Sequence, residues 1–175
     1  DVAITLKPDF KEAYVERGLT WYYKGKYDKA IADFTEAIRI DENYTIAYNN
    51  RGLAWQYKGK YDDAIADYDK AIALNPAYTD AFINRGVTYY YKGQYNKAIE
   101  DYNTAIRQND KLGFVYFNIG LAHFNLSNYT EVIENQNKAL QLQPDYPDAY
   151  NSRGNAYYFI GDLDNAEKDF EEVSK

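Results

Sequence analysis

The chain of 175 residues contains no cysteine and no methionine, and it has one histidine and four prolines. Without cysteine there are no disulfides, thiolate metal sites or cysteine nucleophiles, although this absence leaves the redox compartment open. No apolar run is long enough to span a bilayer, and no signal-peptide pattern occurs at Asp1. We therefore expect no direct membrane insertion and, among compartments, the cytoplasm.

Basic residues are outnumbered: 20 Lys and Arg stand against 27 Asp and Glu, which gives a net charge of −7. Proteins that hold nucleic acid generally need a basic surface that displaces counterions. We therefore expect no nucleic-acid partner. The acidic balance mainly favours solubility.

The chain is rich in internal repetition. Five glycines follow one another at intervals of 34 residues, at Gly18, Gly52, Gly86, Gly120 and Gly154. A fixed period of this length indicates a repeat architecture. In this register we expect one continuous repeat domain, divided into residues 1–10 (the end of a preceding repeat), 11–44, 45–78, 79–112, 113–146 and a shortened 147–175.

Apolar residues recur at helical spacing twice in each unit, which predicts two helices per unit. The first helix is expected to end at a left-handed glycine, at Gly25, Gly59, Gly93 and Gly161. The second helix is expected to begin at an N-cap acceptor, at Asp28, Asp62, Asn96, Thr130 and Asp164. Each unit therefore reads as a helical hairpin.

The pattern of small and aromatic residues is characteristic. In the second unit an aromatic, Gly, an aromatic, Ala, an aromatic, Ala and Pro follow in order, at Tyr48, Gly52, Trp55, Ala64, Tyr68, Ala71 and Pro76. A 34-residue hairpin with these residues resembles the tetratricopeptide repeat, and the resemblance covers almost the whole chain. It implies an all-α fold, an α-α superhelix (solenoid) of stacked helix-turn-helix repeats, with the first helices lining a concave groove.

Arginine stands before the repeated glycine in four units, and aspartate stands sixteen residues later in the same four. The pairs are Arg17 with Asp33, Arg51 with Asp67, Arg85 with Asp101, and Arg153 with Asp169. The fourth unit has Ile119 and Asn135 instead, so cation and anion are lost together. This joint loss predicts a partly buried ion pair between the two helices of each hairpin.

Candidate catalytic groups are scarce. His123 occupies a position that holds Trp or Tyr in the other units, which favours a packed or edge histidine over a base or a ligand. No glycine-rich phosphate loop precedes a helix, and no metal-ligand spacing occurs. We therefore expect no enzyme activity, no catalytic residue, no metal and no cofactor.

The resemblance places a peptide-binding groove on the variable face of the first helices. Its members are Tyr22, Tyr23, Asn49, Asn50, Leu53, Tyr57, Ile83, Asn84, Val87, Tyr90, Tyr91, Phe117, Asn118, Leu121, Phe124 and Asn125. This face is apolar and aromatic with almost no charge, a composition typical of interaction sites. Asn50, Asn84 and Asn118 are candidate partners for a peptide backbone. Some tetratricopeptide repeat proteins hold the C-terminal carboxylate of a partner with lysines on three consecutive first helices. No lysine stands at the corresponding positions of this chain, so we do not expect a carboxylate clamp of that type.

Function is therefore expected to be that of a protein-protein interaction scaffold, with an unidentified protein or peptide held in the groove. A second hypothesis makes the repeats the substrate-recruiting arm of a larger enzyme, such as a glycosyltransferase. A third is self-association through uncapped terminal repeats, since Leu163, Phe170 and Val173 are apolar residues in the last hairpin.

Overall fold

The structure, a computed structural model, describes residues 2–173, with side chains described from Ile4 onwards. Asp1, in the predicted remnant of a preceding repeat, and Ser174 and Lys175, in the shortened unit, lie outside the described residues. Within this range the chain forms eleven α-helices and no strand. They are α1 (Val2–Leu6), α2 (Lys11–Tyr23), α3 (Tyr27–Ile40), α4 (Thr45–Tyr57), α5 (Tyr61–Leu74), α6 (Thr79–Tyr91), α7 (Tyr95–Gln108), α8 (Gly113–Asn125), α9 (Tyr129–Leu142), α10 (Pro147–Ile160) and α11 (Leu163–Val173).

The predicted all-α fold of consecutive helical hairpins is confirmed. The chain divides into two compact units that are larger than the 34-residue repeats, one reaching Thr88 and the other starting at Tyr89. We call these two the first and the second unit, and we call each 34-residue repeat a hairpin. In the first unit α2 packs against α3, and α4 against both α3 and α5. In the second unit α8 packs against α9 and α7, and α10 against α9 and α11. Each hairpin therefore packs on its sequence neighbour within its unit.

Close approach of the two helices explains the repeated glycine in the first unit. A Cβ atom built on Gly18 would lie 2.6 Å from the ring of Phe34, and one on Gly52 would lie 2.8 Å from the ring of Tyr68. Both rings are fully buried. Carbon atoms cannot approach so closely without displacing their neighbours, so only glycine fits without displacing these rings.

The second unit follows the same plan but replaces one core aromatic with an amide. Gln136 is fully buried beside Gly120. Its Nε2 donates to the Ser152 hydroxyl at 3.0 Å and to the Phe117 carbonyl at 3.3 Å. Its Oε1 is buried without a hydrogen-bond partner in the described protein. An unsatisfied buried acceptor destabilises the fold, so we expect the core of this hairpin to be weaker than that of its neighbours.

The hairpin turns confirm the glycine prediction. Gly25, Gly59, Gly93 and Gly161 have φ between +69° and +84°, the left-handed conformation that glycine adopts without steric cost. In the fourth hairpin the corresponding residue is Ser127, with φ of +60°. That serine carries the conformational cost that glycine avoids in the other four turns.

The predicted N-caps are wrong. The second helices begin at an aromatic or apolar residue, Tyr27, Tyr61, Tyr95, Tyr129 or Leu163, so that Asp28, Asp62, Asn96, Thr130 and Asp164 already lie in the first helical turn. In α3, α5, α7 and α9 the cap position makes no side-chain cap hydrogen bond. In α11 the residue that accepts a backbone N–H is Asp162, whose Oδ1 lies 3.3 Å from the amide of Asn165.

The tight glycine turn explains this shift. The amide of Lys26 already donates to the carbonyl of Trp21 at 2.8 Å, so the chain enters α3 immediately after Gly25. The cap position is therefore Lys26, and Asp28 lies two residues too late to cap the helix. A carboxylate in the first turn still interacts favourably with the positive end of the helix dipole.

The Arg–Asp ion pairs are confirmed in three hairpins. The Nε and Nη2 atoms of Arg17, Arg51 and Arg153 donate to the two carboxylate oxygens of their partner at 2.8 and 2.6 Å. The pair of Arg85 with Asp101 stays a prediction. In the fourth hairpin Ile119 is buried, and the amide of Asn135 donates to the carbonyl of Glu131 instead.

The arginines also have a second role that the sequence pattern did not predict. The Nη1 of Arg51 donates to the hydroxyl of Thr35 on the preceding hairpin, at 3.1 Å. Two other arginines make the equivalent bond to an acceptor sixteen residues earlier, Arg85 to Asp69 and Arg153 to Asn137. One guanidinium therefore joins its own hairpin to the preceding one.

Candidate functional site

Aromatic rings gather where the first helix of a hairpin meets the start of the second. In the first unit we define the first tyrosine cluster as Tyr22, Tyr23, Tyr27 and Tyr57. The ring centroid of Tyr22 lies 5.4 Å from that of Tyr23 and 5.4 Å from that of Tyr57, both edge to face. Tyr27 stacks on Tyr57 at 5.7 Å. Tyr23 is 82% exposed and Tyr57 59%, so these rings are ordered by contacts while facing solvent.

The second unit repeats this arrangement. Tyr90 packs edge to face on Tyr95 at 5.4 Å and on Tyr91 at 6.0 Å. The side-chain amide of Asn125 donates to the Tyr90 hydroxyl at 3.0 Å. We call Tyr90, Tyr91, Tyr95 and Asn125 the second cluster. The hydrogen bond fixes the position of the Tyr90 hydroxyl.

A third cluster is formed by Phe124, Tyr129, Tyr158 and Phe159. Tyr129 and Phe159 stack at 4.9 Å with an interplanar angle of 6°. Phe124 packs edge to face on both of these rings, at 5.6 and 5.7 Å. Tyr158 and Phe159 are 60% and 55% exposed. In all three clusters an aromatic residue of a first helix contacts the first residue of the following helix, each time within one compact unit.

Each cluster contains the first residue of a second helix, which sequence reasoning missed, and the third cluster also contains Tyr158 and Phe159, which are not among the predicted groove residues. The first residues of the second helices are Tyr27, Tyr95 and Tyr129. Their signal was present, because tyrosine recurs with the 34-residue period at Tyr27, Tyr61, Tyr95 and Tyr129. The sequence argument considered only the first helices as a binding face.

The predicted groove residues differ widely in exposure. Tyr23, Tyr57, Tyr91 and Asn125 are exposed, whereas Asn49 and Ile83 are buried. The remaining members are half-buried, namely Tyr22, Asn50, Leu53, Asn84, Val87, Tyr90, Phe117, Asn118, Leu121 and Phe124. Their assignment to a binding site stays a prediction, and the exposed members are those best placed to contact a partner.

Four of the predicted asparagines already bond to protein, namely Asn49, Asn50, Asn84 and Asn125. The amide of Asn84 donates to Asn49 Oδ1 at 3.0 Å, which links two first helices of the first unit. Asn49 in turn lies within 3.4 Å of Asn50. A bound peptide would compete with these contacts for the amide of Asn84. Asn118 and the Nδ2 group of Asn50 therefore stay candidates for backbone recognition.

Two groups on the first helices, Tyr22 and His123, have pKa values shifted toward their neutral forms. Burial and a hydrogen bond with Tyr57 raise the pKa of the Tyr22 phenol, which therefore keeps its proton. His123 is half-buried, and its Nδ1 lies 3.4 Å from the amide nitrogen of Asn128. Burial lowers the pKa of His123. These phenol and imidazole groups therefore offer hydrogen bonds rather than charge.

Two kinds of feature, a metal-binding cluster and a membrane-spanning helix, are absent from the described part of the chain. No group of three or more His, Asp or Glu side chains there is arranged to hold a metal ion. None of the helices between residues 2 and 173 combines the length and the apolar character needed to cross a membrane.

Known protein families give a direct comparison. A family model described as tetratricopeptide repeat matches residues 45–78 and 79–112. A second, described as TPR repeat, matches residues 18–56 and 124–161. No curated protein sequence matches the chain significantly.

Several solved structures share the fold. MamA is 26% identical, with a TM-score of 0.84 over 89% of this chain and 91% of that one. PilF from Pseudomonas aeruginosa is 20% identical, with a TM-score of 0.84 over 94% of this chain and 75% of that one. YrrB, described as a TPR protein with an unusual peptide-binding site, is 19% identical, with a TM-score of 0.80 over 98% and 88%. At the identities of PilF and YrrB the likeness shows the fold alone.

Proposed function

The chain belongs to the tetratricopeptide repeat family, and from this premise we propose that it is a protein-interaction scaffold that captures a peptide segment on its aromatic clusters. The observation that carries the proposal is the combination of exposure and order in these rings. Tyr23, Tyr57, Tyr91, Tyr158 and Phe159 are all more than half exposed, yet each contacts another ring of its cluster. Groups of exposed apolar rings usually mark interaction sites.

Pre-ordered rings reduce the entropic cost of binding. A tyrosine has only two side-chain torsions, and here the edge-to-face contacts already restrict them. An apolar side chain of a peptide can pack against the exposed face of Tyr57 or Phe159 without first ordering that ring. The phenol hydroxyls can then orient the peptide by hydrogen bonds. This mechanism favours a ligand with apolar or aromatic anchors.

The test uses peptides selected on the intact chain. A random-peptide display library is panned against the immobilised protein, and the selected peptides are measured by fluorescence anisotropy. Alanine at Tyr57, Tyr90 and Tyr91 together is expected to weaken binding by about 2 kcal/mol or more, the usual size of a hot-spot loss. Helical content and the melting temperature should change little.

Phe114→Ala is the matched control. Phe114 is an aromatic residue of a first helix that is 43% exposed and lies outside the three clusters. Its loss should leave binding intact. Normal binding by the triple variant would rule out the first and second clusters as the site. Unfolding of the triple variant would show that the rings serve the core instead.

A further inference from the structure

Positive charge gathers at the first hairpin turn of this acidic protein. Lys24, Lys26 and Lys29 all place their ammonium nitrogen near the ring of Trp21, at 5.7, 5.4 and 4.7 Å from its centroid. Three like charges around one ring repel one another, and attraction to the indole offsets this repulsion only in part. An added negative charge would relieve the repulsion.

None of these three lysines forms an ion pair with a carboxylate in the described part of the chain. Lys58 on the next hairpin differs, because its ammonium group pairs with Asp28. The three lysines are therefore the cations of this turn that are open to an outside partner.

A cavity connects two of the three lysines, Lys26 and Lys29, with the first tyrosine cluster. It has a volume of about 300 Å³ and is lined by Gly25, Lys26, Tyr27, Asp28, Lys29 and Lys58. Tyr27 belongs to the cluster and stacks on Tyr57. A peptide that packs on the tyrosines would therefore have the lysine ammonium groups beside it.

Lysine at the turn occurs in the first three hairpins, at Lys24, Lys26, Lys58, Lys60 and Lys92. The turns of the fourth and fifth hairpins, LSN from Leu126 and GD from Gly161, contain no lysine. Charge at the turn is therefore not a requirement of the hairpin fold. Because a hairpin turn can form without lysine, the lysines of the first turn are candidates for recognition of a partner.

We infer that the first unit recognises an acidic peptide segment. This inference rests on the proposed function and adds the class of its ligand. Asp or Glu carboxylates of the partner bind Lys24, Lys26 and Lys29, while neighbouring apolar side chains pack on the first tyrosine cluster. Charge complementarity identifies the partner: three unpaired cations beside an uncharged aromatic surface fit a segment with carboxylates next to apolar residues. A long polyanion such as nucleic acid is disfavoured because the protein carries a net charge of −7.

The experiment uses two synthetic nine-residue peptides, each with two phenylalanines beside either four glutamates or four lysines. Their binding to the full chain is measured by fluorescence anisotropy at low and at high salt. The test variant combines Lys24→Gln, Lys26→Gln and Lys29→Gln. The control variant combines Lys111→Gln, Lys138→Gln and Lys168→Gln, which changes the net charge by the same amount at other sites.

The glutamate peptide should bind the unmodified chain more tightly than the lysine peptide, and added salt should reduce the difference. Each exposed charge pair contributes a factor of about two to five, so the test variant should lose about tenfold or more in affinity at low salt. The control variant should lose much less, because it keeps all three lysines of the first turn.

Failure of this inference and failure of the proposed function give different results. If Tyr57→Ala weakens binding of the glutamate peptide while the lysine variant binds it normally, the acidic specificity is overturned and the aromatic site stands. If Tyr57→Ala has no effect on either peptide, the proposed function itself fails at this unit. Displacement of the glutamate peptide by a tighter-binding oligothymidine would also overturn the inference, since it would show a general polyanion site.

Discussion

The ion pair of Arg51 with Asp67 allows a test of how the hairpins are stabilised. The fourth hairpin manages without this pair, because it has Ile119 and Asn135 at the corresponding positions. A double-mutant cycle can therefore use substitutions that the fold already accepts. It consists of Arg51→Ile, Asp67→Asn and the two together.

The size of the effect follows from burial. Asp67 is only 6% exposed and accepts two hydrogen bonds from Arg51. Arg51→Ile alone leaves this carboxylate without its cation and should destabilise the chain by about 1–3 kcal/mol. The lost bond to Thr35 adds little, because water can reach that exposed hydroxyl. The double variant should recover much of the loss, since a buried ion pair replaced as a unit costs far less than one broken in half.

The pH dependence has a defined sign. Burial raises the pKa of Asp67 above its ordinary value, even though the hydrogen bonds from Arg51 oppose this. Without the guanidinium the pKa must rise further. A carboxyl whose pKa is higher in the folded than in the unfolded state favours folding at low pH and loses that contribution as pH rises through the folded pKa. The deficit of Arg51→Ile should therefore be larger at neutral pH than at acidic pH.

Urea unfolding followed by circular dichroism measures all four proteins, at pH 7 and at a mildly acidic pH. A coupling energy clearly different from zero is expected between the two sites. If the double variant is destabilised by the sum of the two single changes, Arg51 and Asp67 do not stabilise each other. The inferred structural role of the pair would then be wrong.

Three further predictions concern the fourth hairpin. Ser127→Gly should stabilise the chain by up to about 1 kcal/mol in urea unfolding, because glycine adopts the positive φ at this turn without strain, and the reverse change Gly59→Ser should destabilise it. Hydrogen exchange should show residues 105–135 less protected than residues 50–80, since they include much of the fourth hairpin, in which the buried Gln136 Oε1 has no hydrogen-bond partner in the described protein; equal protection would contradict this. Burial lowers the pKa of His123, so its contribution to stability is present above the unfolded pKa of about 6.5 and is lost as pH falls. His123→Tyr should therefore reduce the loss of stability on acidification, and an unchanged pH profile would argue against it.

The sequence alone determined the features that depend on short separations along the chain. The 34-residue period, the two helices per unit and the glycine turns are local patterns, and the structure confirms them. The pairing of Arg17 with Asp33 could be predicted as well, because the two helices of one hairpin must lie side by side. The fold and the ion pairs between the two helices of a hairpin could therefore be predicted from the sequence.

Only the tertiary structure decided how each hairpin packs on the previous one. The bond from Arg51 to Thr35, the burial of Asn49 beneath Asn84, and the stacking of Tyr27 on Tyr57 all join different hairpins. A repeat period fixes the distance along the chain but not the rotation and offset between neighbouring hairpins. Side-chain packing sets those two quantities, and they determine which rings face solvent. The candidate binding surface is therefore a consequence of packing between repeats, which the helical pattern of a single repeat does not contain.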